Sequence, residues 1–188
     1  ALAAAAAAGD CTAVLDIGQF GERYFTYVAA FGLFTDVSYT TPQTSKNLLG
    51  RVAYLLEGIK SLSQIREYPL HVEAPGVSVD GTFLFGMVTN STSVGGFKGF
   101  PHVAQAQMDD GLFEVVLVRR AASLLDLQTA LNNFASNGDS DSSLFVHLKT
   151  PWITFAGETE LAWTLDGEFG GNASTVEIRN LHQAVRFV

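Results

Sequence analysis

With 188 residues, 47% of them apolar and only 16% charged, the chain has enough material for one sizeable core and too little charge for a disordered segment. A net charge of −8 leaves no strongly basic face, which excludes a non-specific grip on nucleic acid or on an anionic membrane surface. A single cysteine, Cys11, excludes an internal disulfide and any multi-cysteine metal site, and it suits a reducing, cytoplasmic compartment.

The first nine residues, ALAAAAAAG, carry no methionine. They read as the alanine-rich end of a preceding helix or as unassigned residues, and the chain as part of something longer, with residues 10–188 forming one domain. No apolar run reaches the length of about 18 residues that spans a bilayer, so a soluble protein is expected. Any membrane association is expected to be peripheral, with lipid met in a pocket or groove.

In residues 16–30, DIGQF and RYFTYVAA flank Gly21-Glu22, and their aromatic and β-branched content predicts a hairpin. Residues 37–41 are a short extended piece closed by Pro42. The spacing of Leu48, Leu49, Val52, Ala53, Leu55, Leu56 and Ile59 predicts a core-facing helix over 45–61, and Gly50 and Gly58 within it point to close packing. Residues 68–74 and 77–89 read as strands, with Asp80-Gly81 as a tight turn between VSV and FLFGMVT. Residues 90–109 form a loop long enough to suggest function. Its Gly95-Gly96 and Lys98 lack the spacing of a phosphate cradle. Further strands are expected over 112–118, 144–149, 152–155, 161–165 and 175–179, with the tail adding another. A second helix is expected over 123–136, with Leu124, Leu127, Leu131 and Phe134 on one face and Gly138 past its end. Because this order does not alternate as βαβ units do, the predicted architecture is a mainly antiparallel β-sandwich with two packed helices.

Two acidic turns carry the candidate chemistry. The alternating run LAWTL ends at Asp166-Gly167-Glu168, which sets two carboxylates around a glycine at a strand end. That pattern fits an ordinary solvated turn, an acid/base pair, or a single-sided role such as taking a proton from a hydroxyl. The second turn is Asp109-Asp110-Gly111. There the Asp110 carboxylate, with the carbonyls of Gln107 and Leu112, offers an all-oxygen environment that a hard ion such as Mg2+ prefers, although many acidic turns are simply solvated. The four histidines, His71, His102, His147 and His182, lack metal-site spacing, and no GxSxG motif is present.

Four segments give the chain a recognisable character: RYFTYVAAFG, LLGRVAYLLEGIKSL, TNSTSVGGFKGF running to MDDGLFEVVLV, and LDGEFGG. In order and spacing they resemble the C-terminal domain of the bacterial diacylglycerol kinase and lipid kinase family, from about Leu15 onward. The loop departs from the family pattern at Ala104, where many members have proline. The resemblance implies a β-sandwich that follows a nucleotide-binding domain carrying GGDGT, a motif this chain does not contain. It implies that Glu168 accepts the proton of a lipid hydroxyl as that hydroxyl attacks the γ-phosphate of ATP. It also implies that Asp110, with the carbonyls of Gln107 and Leu112, holds a structural Mg2+. The expected partners are a lipid alcohol such as diacylglycerol, the nucleotide-binding domain that holds ATP, and, through exposed sandwich edges, a second copy of the chain. A different class remains open: a non-catalytic β-sandwich that binds a lipid or a protein partner.

Overall fold

The computed structural model describes residues 13–33, 63, 65–91, 107–137 and 143–187. Cys11, the strand expected at 37–41, the helix expected at 45–61, Gly95, Gly96, Lys98 and His102 lie outside the described residues.

Nine strands are described: β1 (Ala13–Phe20), β2 (Arg23–Phe25), β3 (Val28–Gly32), β4 (Tyr68–Ala74), β5 (Val77–Thr89), β6 (Phe113–Arg119), β7 (Phe145–Thr150), β8 (Trp152–Leu165) and β9 (Glu168–Phe187). All pair antiparallel, in the order β2-β1-β9-β8-β3-β5-β6-β7. β4 takes the same place as β3, between β5 and β8. The two share that place end to end: β4 pairs with residues 77–83 of β5, and β3 with residues 85–89. Alternating burial along β4 shows a strand with one face in the core, as its apolar-polar alternation predicts.

The sheet curls until its two ends meet. Phe25 of β2, at one end of the order, stacks on Phe113 of β6, near the other end, with ring centroids 5.7 Å apart. This closure encloses a core centred on Trp163, whose ring lies 5.0 to 5.2 Å from those of Phe20, Phe31 and Phe155. Edge-to-face contacts of this kind add to the burial of large rings. Gly18 permits the closure near β2, since a Cβ there would lie 2.2 Å from the Phe25 ring.

The opposite face of β3, β5 and β6 is covered by the helix α1 (Leu124–Asn137). Ser123 caps it, accepting the Asp126 N–H at 3.1 Å and donating its hydroxyl to the Asp126 carboxylate at 2.7 Å. Leu127, Ala130 and Leu131 bury against Val116, Val118, Met87 and Phe145, the face that the spacing predicts. The side chain of Phe134, placed on that face by its spacing, and Gly138 lie outside the described residues.

Three sequence expectations are corrected. Asp80-Gly81 is no turn: both residues sit inside β5, opposite His71 and Leu70, and the hairpin turn is Pro75-Gly76, where Gly76 takes a φ of 73°. Proline followed by glycine sets a turn more firmly than Asp-Gly in the middle of an alternating run. Residues 152–165 form one strand, not two, because a register irregularity between Ala156 and Leu161 absorbs the polar stretch GETE. Likewise the two strands expected after residue 175 belong to the single 20-residue β9.

Candidate active site

β8 ends at Leu165 and β9 begins at Glu168, which face each other, so Asp166 and Gly167 form a two-residue hairpin loop. Both have positive φ, 52° and 92°, the signature of the turn type for which Asp-Gly is favoured. The Asp166 carboxylate is fully engaged. Its Oδ2 accepts the Thr26 N–H at 2.8 Å and the Thr26 hydroxyl at 3.0 Å, and its Oδ1 accepts the N–H groups of Tyr27 and Val28, each at 2.9 Å. A carboxylate has about four lone-pair positions, so none is left for a substrate proton or a metal ion. The Asp166 N–H also donates to the Val28 carbonyl at 2.8 Å. Five hydrogen bonds therefore fasten the hairpin to the bend between β2 and β3.

This divides the labour between the two carboxylates of the turn. Asp166 is a structural clamp, which removes the acid/base pair from consideration. The Glu168 side chain is exposed and makes no hydrogen bond or ion pair with the described residues. The Glu168 backbone is held by the clamped turn on one side. On the other is a bulge, where Trp163 pairs with Gly171 but Thr164 pairs with Phe169, leaving Gly170 as the extra residue. A side chain at position 170 would strike Leu165, since a Cβ there would lie 2.6 Å from its Cγ. Next to Glu168, Phe169 is 57% exposed, and Arg23 donates to the Phe169 carbonyl at 3.4 Å.

An open groove of about 380 Å³ reaches the same hairpin. Ile17, Tyr24, Phe25, Leu181, Ala184 and Val185 line it, and Asp166 stands at its margin.

The second candidate, the turn at Asp110, is built around a residue that sequence reasoning missed. Asp16 lies in the apolar run AVLDIG and is 1% exposed. One carboxylate oxygen accepts the Gly111 N–H at 2.6 Å, and the other accepts the Gln183 N–H at 2.7 Å. Its own N–H donates to the Met108 carbonyl at 2.8 Å, and its carbonyl accepts from the Asn90 side chain at 2.9 Å. The signal was available: a lone charge inside an apolar run must find partners when buried. His182 adds a contact of 2.9 Å between a ring nitrogen and the Asp109 carbonyl.

Asp110 itself accepts the Leu112 N–H at 3.0 Å on Oδ1 and the Lys149 ammonium at 2.9 Å on Oδ2. Lys149 also lies 3.2 Å from Oε1 of Glu114, a buried carboxylate directly opposite it across β6 and β7. The hydrogen bond to Asp110 is the main cause that raises the Lys149 pKa above the usual lysine value; burial opposes it and Glu114 reinforces it. Lys149 is therefore a cation throughout the neutral range. The oxygen donors of residues 107–112 fit a hard divalent ion in kind, and the ammonium already seated on Asp110 marks the place as one that attracts a cation. Among the described residues no group of three or more His, Cys, Asp or Glu side chains gathers around a common point. His71 pairs with Asp80 on the surface, with 2.8 Å between Nδ1 and the carboxylate.

The chain spans about half the length of the curated relatives it matches. It is 32% identical over 163 residues to a diacylglycerol kinase of Staphylococcus haemolyticus, covering 86% of this chain and 48% of that protein. It is 32% identical over 158 residues to a diacylglycerol kinase of Staphylococcus saprophyticus, covering 84% and 50%. A solved diacylglycerol kinase structure from Bacillus anthracis aligns with 98% of this chain and 56% of its own, at a TM-score of 0.64 and 16% identity. A second chain from the same strain aligns with 98% of this chain and 60% of its own, at a TM-score of 0.73 and 21% identity. These two structures support the fold. A family model for the YegS C-terminal NAD kinase beta sandwich-like domain matches residues 28–187, and the chain belongs to that family.

Proposed function

We propose that this domain is the acceptor side of an ATP-dependent lipid kinase, with Glu168 as the general base. The observation that carries the reading is the contrast within one turn: Asp166 is saturated by four donors, while Glu168, two residues on, is rigidly mounted and unengaged. In phosphoryl transfer a protein mainly positions groups and neutralises charge. Glu168 takes the proton of the lipid hydroxyl as its oxygen bonds to the γ-phosphorus and the bond to the leaving ADP oxygen breaks. The groove that reaches Asp166 supplies apolar surface for the hydrocarbon part of the lipid. The relatives that share this domain carry the name diacylglycerol kinase, and that name supports a glycerolipid hydroxyl as the acceptor in this reading.

ATP is held by a further nucleotide-binding domain: the chain spans about half the length of its curated relatives, and the spacing of Gly95-Gly96 and Lys98 is not that of a phosphate cradle. Asp110, with the carbonyls of Gln107 and Leu112, binds a divalent ion whose role is to steady the turn that opens β6. A phosphate-transfer assay on the full-length protein, with diacylglycerol, phosphatidylglycerol and a polyprenol as acceptors, tests the reading. Transfer to a lipid hydroxyl is expected, and no transfer to any lipid alcohol contradicts it.

A further inference from the structure

Lys149 sits between two carboxylates of unequal freedom. Asp110 is at a turn, with its side chain 18% exposed, whereas Glu114 is near the start of β6, with its side chain 4% exposed. A buried carboxylate without a cation is costly. Among the described residues Glu114 also faces His147, whose ring nitrogen lies 3.7 Å from Oε2 and carries a charge only when protonated, whereas Lys149 is a cation throughout the neutral range. Lys149 is thus bound to stay with Glu114, which it faces directly across the ladder. It has no such obligation to Asp110 once another cation arrives there. Its flexible stem lets the ammonium shift by an ångström or two without moving the strand.

We propose that Lys149 is a built-in counter-ion that shares the Asp110 turn with a divalent cation. With no ion bound it bridges Asp110 and Glu114 and holds the turn to β7. When the ion takes Asp110, the ammonium withdraws onto Glu114 alone. Two cations on one carboxylate oxygen repel each other, so Lys149 weakens divalent binding and lessens, without removing, the turn's dependence on the ion. The inference rests on the proposed ion site at Asp110.

The test is a titration of the full 188-residue chain with Mn2+, read by water-proton relaxation, together with thermal melts in Mg2+ against salt of matched ionic strength. Lys149→Met and Lys149→Gln are compared with wild type, and each is also combined with Asp110→Asn. Circular dichroism identifies folded variants, and Lys149→Gln keeps a hydrogen-bonding group if Lys149→Met does not fold. The expected result is at least about tenfold tighter Mn2+ binding in the Lys149 variants, the scale of a typical coupling between sites. Their melts should also rise with Mg2+ more than that of wild type, and Asp110→Asn should abolish both effects. Equal affinity in wild type and the Lys149 variants overturns the counter-ion role while leaving the ion site standing. Binding in no variant overturns the ion site, and the counter-ion role with it.

Discussion

Asp166 and Val28 bind each other twice: the Asp166 N–H donates to the Val28 carbonyl at 2.8 Å, and the Val28 N–H donates to the Asp166 carboxylate at 2.9 Å. The two residues are 138 positions apart, so this exchange is what fixes the β8–β9 hairpin over the bend between β2 and β3. Asp166→Ala should therefore lower stability by roughly 2 to 4 kcal/mol, the size of one or two hydrogen bonds to a charged group plus the cost of a left-handed alanine. Asp166→Asn keeps the shape and tolerates the positive φ, so it should cost less. Urea unfolding of the two variants checks the order, and an equal, small loss in both would contradict the clamp.

Asp16 predicts a larger effect from a residue outside the turn that carries the candidate base. Its side chain joins β1 to the turn at Gly111 and to β9 at Gln183, where a φ of 53° marks a local distortion. Asp16→Ala leaves two N–H groups without their acceptor and should destabilise by about 3 kcal/mol or more. Hydrogen exchange at Gly111 and Gln183 should accelerate together in the variant. Acceleration at one amide alone would show that Asp16 does not couple the two segments.

The groove beside Asp166 yields a kinetic prediction. Ala184 lines it and is exposed, so Ala184→Glu adds a charge to an apolar surface without disturbing the core. In the full-length protein the KM for a lipid acceptor should rise by about tenfold while kcat changes little, the pattern of lost ground-state binding. An unchanged KM would place the hydrocarbon chain elsewhere.

The strands and the turn at residues 166–168 were legible because their signals are local. Alternation along YPLHVEA marks one face for the core, and Asp-Gly between apolar runs marks a hairpin. The same local rule misled at Asp80-Gly81, where pairing with β4 across the Pro75-Gly76 turn carries the strand on through the pair. The roles of the charged residues were not legible, because their partners are remote in sequence. Asp166 reaches Thr26, Asp16 reaches Gln183 and Lys149 reaches Asp110, and no spacing records those meetings. Residue pattern alone therefore left Asp166 and Glu168 side by side, and only the family resemblance singled out Glu168. Which of the two carboxylates was free depended on a bend formed 140 residues earlier.

Glu168 is the residue on which the account turns, and single-turnover phosphate transfer by full-length Glu168→Gln tests it most directly. The amide keeps the size of the side chain but cannot take the hydroxyl proton. The account predicts an unchanged thermal midpoint and a transfer rate lower by about 10² to 10⁴, the usual contribution of a general base. A rate within a few-fold of wild type would contradict it, and Glu168 would then be an ordinary surface residue at the end of a well-fastened turn.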